Sequence, residues 1–409
     1  MLLFDFFTFI LCLIPTLLCA YSIFKVGIKP LTLIQVCFFS IYIFPLFLDI
    51  IFTTPSYYNF PGFNAFQGDF SVVIIYNVFV TFVSYFNYFF RGKNIIDINI
   101  KNNLNKIDVL LFFISLFPIF LFAFSPDKSV YAVYGGNGLR DYNEVVGGFH
   151  GYINISTFLS VIILAYLIVK NYNKNYIFVI FLFLLALFDF WINGKRTIVL
   201  IFLFFLSLFS ILQARTFKSF IFVIFLSTLF GVYSNWYQAT VRDFGNKVTF
   251  EENYENVRID FFRDQRLKMA IYAEINPHLI KILPNRGDSF LFSATFFIPR
   301  DFWENKPYPY AQYFTSAMLY EEPKLWGWGM TTSIYDEIVA NIGLLGLLII
   351  QFLVFIFFKL VMKVDSNNFR IFSIFLFLIL MMVQMIAFMF AYIIWFLWLL
   401  KLKMNQRVV

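Results

Sequence analysis

The sequence predicts an all-α, polytopic membrane protein with about 10 to 11 transmembrane helices and one large, partly helical periplasmic loop late in the chain. Three observations carry that expectation. The composition is 61% hydrophobic and 13% charged, with a mean hydropathy of +0.77, whereas soluble domains carry roughly a quarter charged residues. Apolar runs of about twenty residues, the length that crosses a hydrocarbon core of roughly 30 Å, follow one another along most of the chain. Residues 236–335 interrupt them, and hold eleven of the 31 Lys/Arg and twelve of the 24 Asp/Glu.

In order, the runs occupy about 2–24, 31–52, 71–90, 107–125, 151–170, 176–192, 197–213, 219–235 and 336–358. A last stretch, 371–400, reads two ways. Its length gives a helix of about 45 Å, too long for one upright span and too short for two full ones. One tilted helix fits, and so does a hairpin turning near Gln384. Arg370 before it and Lys401, Lys403 and Arg407 after it favour the hairpin, which leaves both ends on one side. The chain thus divides into transmembrane helices 1 to 8 over 1–235, the polar loop over 236–335, and C-terminal transmembrane helices over 336–409. No internal repeat is evident, and the Asn-rich connection at 99–105 is the sole low-complexity linker. The 62 phenylalanines suit lipid-facing helices as Leu does and mark no ligand path. Cys12, Cys19 and Cys37 lie in apolar runs and form neither a disulfide framework nor a metal site. A removable signal peptide is not expected, because no basic region precedes the first run and no small-residue cleavage pattern follows it.

Basic residues in the short connections set the orientation. Lys25 and Lys29; Arg91, Lys93, Lys101 and Lys106; Lys170 and Lys174; Arg215 and Lys218; and Lys359, Lys363 and Arg370 fall in every second connection. The alternate connections hold only Lys128, Arg140, Lys195 and Arg196. The basic set is therefore expected in the cytoplasm, with the N-terminus and the 236–335 loop outside. The net charge of +7 then serves membrane insertion, and nucleic acid is not an expected partner.

Against that rule, Asn193-Gly194-Lys195-Arg196-Thr197 places two cations in an outside turn. Asp189, one to two turns earlier in the same run, is an ionisable residue in an apolar span and a candidate partner for them. Arginine's planar fork suits diphosphate oxygens; the competing reading is that Lys195 and Arg196 snorkel to lipid headgroups. A Gly-rich outside loop, residues 134–151, carries Arg140 beside Asp141 and Glu144, either a ligand residue or a surface ion pair. Within 236–335, Arg242 lies just beyond a membrane exit. The mixed-charge segment 251–268, with Arg258, Arg263, Arg266 and Lys268, reads as a solvated helix along the membrane.

The chain resembles the Wzy-type O-antigen and oligosaccharide repeat-unit polymerases of bacterial inner membranes. The resemblance rests on many spans with one large late loop and on the Gly194-Lys195-Arg196-Thr197 turn. It rests further on Pro299-Arg300-x-x-Trp303-x-x-Lys306-Pro307 and on Glu337-x-x-x-Asn341-x-Gly343-x-x-Gly346. It departs from the family in the final helical pair, where Gln384 stands in place of an aromatic or Arg-Gly element. The resemblance implies a membrane glycosyltransferase of polysaccharide biosynthesis. A chain linked to undecaprenyl diphosphate passes onto a hydroxyl of a second lipid-linked repeat unit at the periplasmic face, with no cofactor or metal.

Such chemistry needs preorganised cations for the departing diphosphate, and Arg140, Lys195, Arg196, Arg242, Arg300 and Lys306 are the candidates. It needs a base for the attacking hydroxyl: Glu337 first, then His278 and Asp336, although an acid at a helix entrance also suits the helix dipole. Trp303, Trp326 and Trp328 offer sugar-stacking faces or interface anchors. The implied partners are the lipid-linked donor and acceptor, membrane lipids, and a chain-length regulator of the polysaccharide co-polymerase type. An O-antigen ligase delivering glycan to a lipid A core shares the architecture. A lipid-linked oligosaccharide flippase would place more charge within its spans.

Overall fold

The computed structural model is 77% helix, without strands among the described residues. It describes residues 2–58, 60–92, 106–128, 131, 144–172, 175–214, 217–237, 249–323 and 329–407. The helices in chain order are α1 (Leu2–Lys25), α2 (Pro30–Phe38), α3 (Phe44–Phe52), α4 (Phe70–Phe89), α5 (Lys106–Ser115), α6 (Phe117–Ala123), α7 (Glu144–Asn171), α8 (Tyr176–Asn193), α9 (Arg196–Ala214) and α10 (Phe217–Tyr237). There follow α11 (Phe250–Phe261), α12 (Asp264–Ile275), α13 (Asp288–Ala294), α14 (Tyr310–Leu319), α15 (Ile334–Ile342), α16 (Leu345–Val361), α17 (Asn367–Met382) and α18 (Met389–Arg407). Among the described residues, five helical segments are long and apolar enough to cross a membrane: Leu2–Lys25, Pro30–Phe52, Phe70–Phe89, Tyr152–Asn171 and Tyr176–Asn193. Shorter apolar helices include Ile198–Ile211 and Leu345–Val361. By length and composition, these helices are compatible with a multi-pass membrane protein.

Local chemistry sets the element ends. Asp69 caps α4 by accepting from the Ser71 and Val72 amides at 2.9 and 3.3 Å, and Asn175 caps α8 by accepting from Phe178 N at 3.1 Å, each satisfying a donor that the first turn leaves open. Several predicted spans are interrupted. A π-turn, Phe39–Ile43, separates α2 from α3, and Pro45 follows where its missing N–H is tolerated. Pro118 likewise opens α6, so the run 107–125 becomes two helices. The run 336–358 breaks at Gly343, whose φ of +91° a side chain would strain. Just beyond, Gly346 lets α16 approach α15 so closely that an added Cβ would sit 2.8 Å from Ile338 O.

The C-terminal stretch folds as a hairpin. Helix α17 ends at Met382, the chain turns through Val383 and Gln384, and a 3-10 turn, Met385–Phe388, leads into α18. Trp395 Nε1 donates to Ser373 Oγ at 2.7 Å, and Trp398 packs on Phe369 and Phe372. These pairs run in opposite chain directions, so α17 and α18 are antiparallel.

The chain forms two compact units, Met1–Asp97 with Tyr254–Val409, and Ile98–Asn253. In the first, a polar ladder ties four apolar helices together. Gln35 of α2 donates to Thr16 of α1 and Ser84 of α4 at 2.9 and 3.0 Å. Asn87 of α4 donates to Gln35 at 3.1 Å, and Gln351 of α16 donates to Asn87 at 2.8 Å. Such bonds are worth about 0.6–2 kcal/mol each between apolar helices and fix their register. In the second unit, α7 packs on α8 and α9. Lys170 pairs with Asp108 of α5 at 2.7 Å, both buried, and Asn193 donates to Thr157 at 2.7 Å.

Candidate functional site

Apolar surroundings penalise charge more than any other group, yet the first unit buries a large set of charges. Arg258, Arg263, Asp264, Arg266 and Lys268 are all buried, so the solvated surface helix expected over 251–268 is not what forms. Helix α12 instead packs against α15 and α4, and the charges find partners far away in the sequence. Arg258 donates through Nε and Nη2 to both oxygens of Asp49 at 3.0 and 2.8 Å, and through Nη1 and Nη2 to both oxygens of Asp264 at 2.7 Å. Tyr254 OH adds a bond to Asp49 at 2.6 Å. One guanidinium thereby holds two carboxylates in paired, charge-assisted geometry.

Arg263 uses the two helix breaks. Its backbone N–H donates to Ile41 O in the π-turn at 3.3 Å, and its Nε donates to Met382 O, the last residue of α17, at 2.8 Å. Tyr42 OH donates to Met381 O at 3.0 Å, and Tyr76 OH donates to Tyr42 O. An α-helix keeps its carbonyls for itself; these breaks release some to side chains. Backbone of this kind at membrane depth is tolerated where protein lines it, and π-turns recur at functional sites. Arg266 donates to Phe262 O at 2.7 Å and to Ile259 O, and its Nε has no hydrogen-bond partner.

Of the two acids at the start of α15, Asp336 lies nearer this cationic set. Ser333 and Asp336 form a capping box, in which Asp336 Oδ1 accepts from the Ser333 amide at 2.9 Å and from its hydroxyl. Asp336 lies within electrostatic reach of Arg266, and Tyr310 within reach of both Asp336 and Glu337. Glu337 Oε1 accepts from Ser289 Oγ at 2.9 Å. Asn341, four residues on and so on the same helix face, donates to Ser289 Oγ and to Glu337 O, each at 2.7 Å. Those bonds use both amide hydrogens of Asn341, which leaves the Ser289 hydroxyl proton for Glu337. Asp336 and Glu337 are 0% and 2% exposed, while Asp336 Oδ2, Glu337 Oε2, Tyr310 OH and Tyr335 OH have no hydrogen-bond partner. Buried polar atoms left open in a native protein are accounted for by ordered water, an ion, strain or a catalytic role.

The other sequence-expected residues stand elsewhere. His278 is exposed in the turn that follows α12. Arg300 spends its fork on Lys306 O and Pro307 O at 2.7 and 2.8 Å, with its guanidinium 3.9 Å from the centre of the Tyr308 ring. Lys306, buried, donates to Phe296 O and Ile298 O at 3.1 and 2.7 Å; desolvation, reinforced by the Arg300 charge, lowers its pKa. Both cations shape the 296–308 loop through its carbonyls. Trp303, half-buried, ends the 3-10 turn Arg300–Phe302. In the second unit, Lys195 is exposed at the turn between α8 and α9, whereas Asp189 is buried in α8. Arg140, Arg242, Trp326 and Trp328 lie outside the described residues, as does the side chain of Arg196.

The sequence reading passed over Asp49, Arg258, Arg263 and Arg266 as site residues. A signal was there: Asp49 is a carboxylate inside an apolar run, and such a residue needs a buried partner. No protein family, curated protein or solved structure matches this chain.

Proposed function

We propose that this protein is a membrane glycosyltransferase that joins polyprenyl-diphosphate-linked oligosaccharide repeat units into a surface polysaccharide, acting at the outer face of the bacterial inner membrane. The observation that carries the reading is the state of Glu337. One carboxylate oxygen is held by Ser289 and, through it, by Asn341; the other is buried without a closely hydrogen-bonded partner, the Met385 backbone amide lying within reach of the carboxyl group. A positioned carboxylate with one free oxygen is the arrangement a general base requires. In the reaction, the acceptor hydroxyl oxygen bonds to the donor's anomeric carbon as the bond from that carbon to the diphosphate oxygen breaks. The hydroxyl proton passes to Glu337 Oε2, and the bonding electrons leave with the lipid diphosphate.

The charge that develops on the leaving group needs fixed cations in a low-dielectric site. Arg266, with an open Nε beside the acids, is the residue of the first unit suited to this. Arg258 and Arg263 hold the frame, since carboxylates and carbonyls take their donors. Lys195 and Arg196 are proposed cations of the second unit, and Arg196→Lys and Arg196→Ala test that role by themselves. Alanine abolishes polymer, and lysine restores part of it, because a point charge lacks the fork.

Polymer formation in vitro from purified lipid-linked repeat units tests the whole reading. Glu337→Gln retains substrate binding and lowers the rate by roughly 10² to 10⁴, the range for a lost general base. Normal polymerisation by Glu337→Gln removes Glu337 from the role. Glycan from a deletion strain separates the class of transfer: loss of a polymerase leaves a single repeat unit on the lipid core, and loss of a ligase leaves none.

A further inference from the structure

At the end of the first unit away from the sugar chemistry proposed above, a cleft of about 360 Å³ opens between the start of α2, the end of α4 and the last turns of α16. Arg91, Lys359 and Lys363 line it, together with Phe90, Phe355 and Phe358, and no acid among the described residues does. Lys359, in the last turn of α16, and Lys363, in the turn that follows it, are both exposed and both line the cleft, a grouping of like charge that costs stability when nothing neutralises it. Arg91 is fixed in place: its guanidinium sits 4.1 Å from the centre of the Tyr88 ring and donates to Tyr88 O at 3.0 Å. The first residues of α2, Pro30 and Leu31, also line the cleft, and the N-terminal end of a helix favours an anion.

The cleft therefore combines three cations with an aromatic wall, and Lys359 Nζ lies 5.9 Å from the centre of the Phe355 ring. Its aromatic wall continues into Phe89 and Phe352, which are 71% and 52% exposed and lie on helices of the apolar set. An occupant with charge complementary to three cations and an apolar tail suited to that wall is a lipid. We propose that this cleft binds the phosphate headgroup of an anionic phospholipid, whose acyl chain lies along Phe90 and Phe355. The proposal does not depend on the glycosyltransferase reading, because it uses none of the residues placed in that site.

The experiment uses the full-length protein in neutral detergent. Thermal unfolding and native mass spectrometry are followed with phosphatidylglycerol, with phosphatidylcholine, and with inorganic phosphate at matched phosphate concentration. Phosphatidylglycerol raises the unfolding temperature and stays bound; the other two do neither. In Arg91→Gln/Lys363→Gln its apparent affinity falls roughly tenfold or more, from about 1 kcal/mol per basic residue facing an anionic lipid. Lys25→Gln/Lys401→Gln removes the same charge from exposed positions outside the cleft and leaves the affinity unchanged. Lys359→Gln/Lys363→Gln, which spares the Arg91 contact with Tyr88, gives the same loss as the first pair. The proposal fails if the control pair weakens binding as much as the cleft pair does. It fails equally if phosphatidylcholine or inorganic phosphate stabilises the protein as well as phosphatidylglycerol.

Discussion

Arg258 shows how far single side chains govern this molecule. It is fully buried and neutralises two carboxylates, so Arg258→Met leaves Asp49 and Asp264 with only Lys268, 3.9 Å from Asp264, to balance two charges. Removing one partner of a buried ion pair costs about 3–5 kcal/mol, and thermal unfolding in detergent should show a loss of that order. The double change Arg258→Met, Asp49→Asn should cost much less, because Asp264 then keeps Lys268 as its partner and no carboxylate is stranded. At the proposed base, Ser289→Ala removes the hydroxyl that aims Glu337 and leaves the carboxylate itself. Its rate should fall roughly tenfold, the worth of one net hydrogen bond to a charged group, well short of the Glu337→Gln loss. His278→Gln, at an exposed turn, should keep close to wild-type rate in the same assay. A His278→Gln variant that binds substrate and does not turn over would move the base to the loop.

Among the elements, interruptions matter more than lengths. Gly343 ends α15 at a φ of +91°, and a Cβ there would meet Glu274 Oε1 at 2.8 Å. Gly343→Ala should lower stability by about 1–3 kcal/mol, the cost of a side chain held in that region, read as a shift in the denaturation midpoint. The spacing of Glu337 and Asn341, four apart and so on one helix face, is a local matter that the sequence carries, whereas the helix end at Gly343 falls inside the run 336–358, which reads as one span. The π-turn at Phe39–Ile43 was not legible either, since Phe-Ser-Ile-Tyr-Ile reads as uninterrupted apolar helix. Pro45, four residues after Ile41, has no N–H for the Ile41 carbonyl, and the Arg263 amide, more than two hundred residues later, takes that carbonyl instead. For the same reason the charges of 251–268 read as solvated: their spacing carries no trace of Asp49 or of the open carbonyls that receive them. The hairpin about Gln384 was within reach because flanking Arg370 and Lys401 constrain it from nearby. Arg300 and Lys306 looked like free cations in the sequence, which records neither the carbonyls of Phe296 and Ile298 nor those of Lys306 and Pro307.

Taken whole, the molecule interleaves two units in one chain, with Ile98–Asn253 inserted between the parts of the other. Charge in the connections predicts on which side each turn lies. Single cysteines at Asn285 and Asn367, both exposed, test it in a background lacking Cys12, Cys19 and Cys37. An impermeant thiol reagent applied to spheroplasts should label position 285 and spare position 367 until the membrane is opened; the reverse pattern would invert the orientation.

The interleaving also sets a clock on the making of the protein. Asp49 and Arg258 are separated by 209 residues, and at about 5–20 residues per second of synthesis the guanidinium emerges on the order of ten to forty seconds after its carboxylate. Through that interval the second apolar run has a carboxyl group near its end without its final neutralising neighbour. The nascent protein must therefore keep Asp49 protonated, at the headgroup layer, or sheltered by the insertion machinery. A ribosome stalled before residue 258 should leave this helix extractable or degraded, and one stalled after residue 275 should leave it secure.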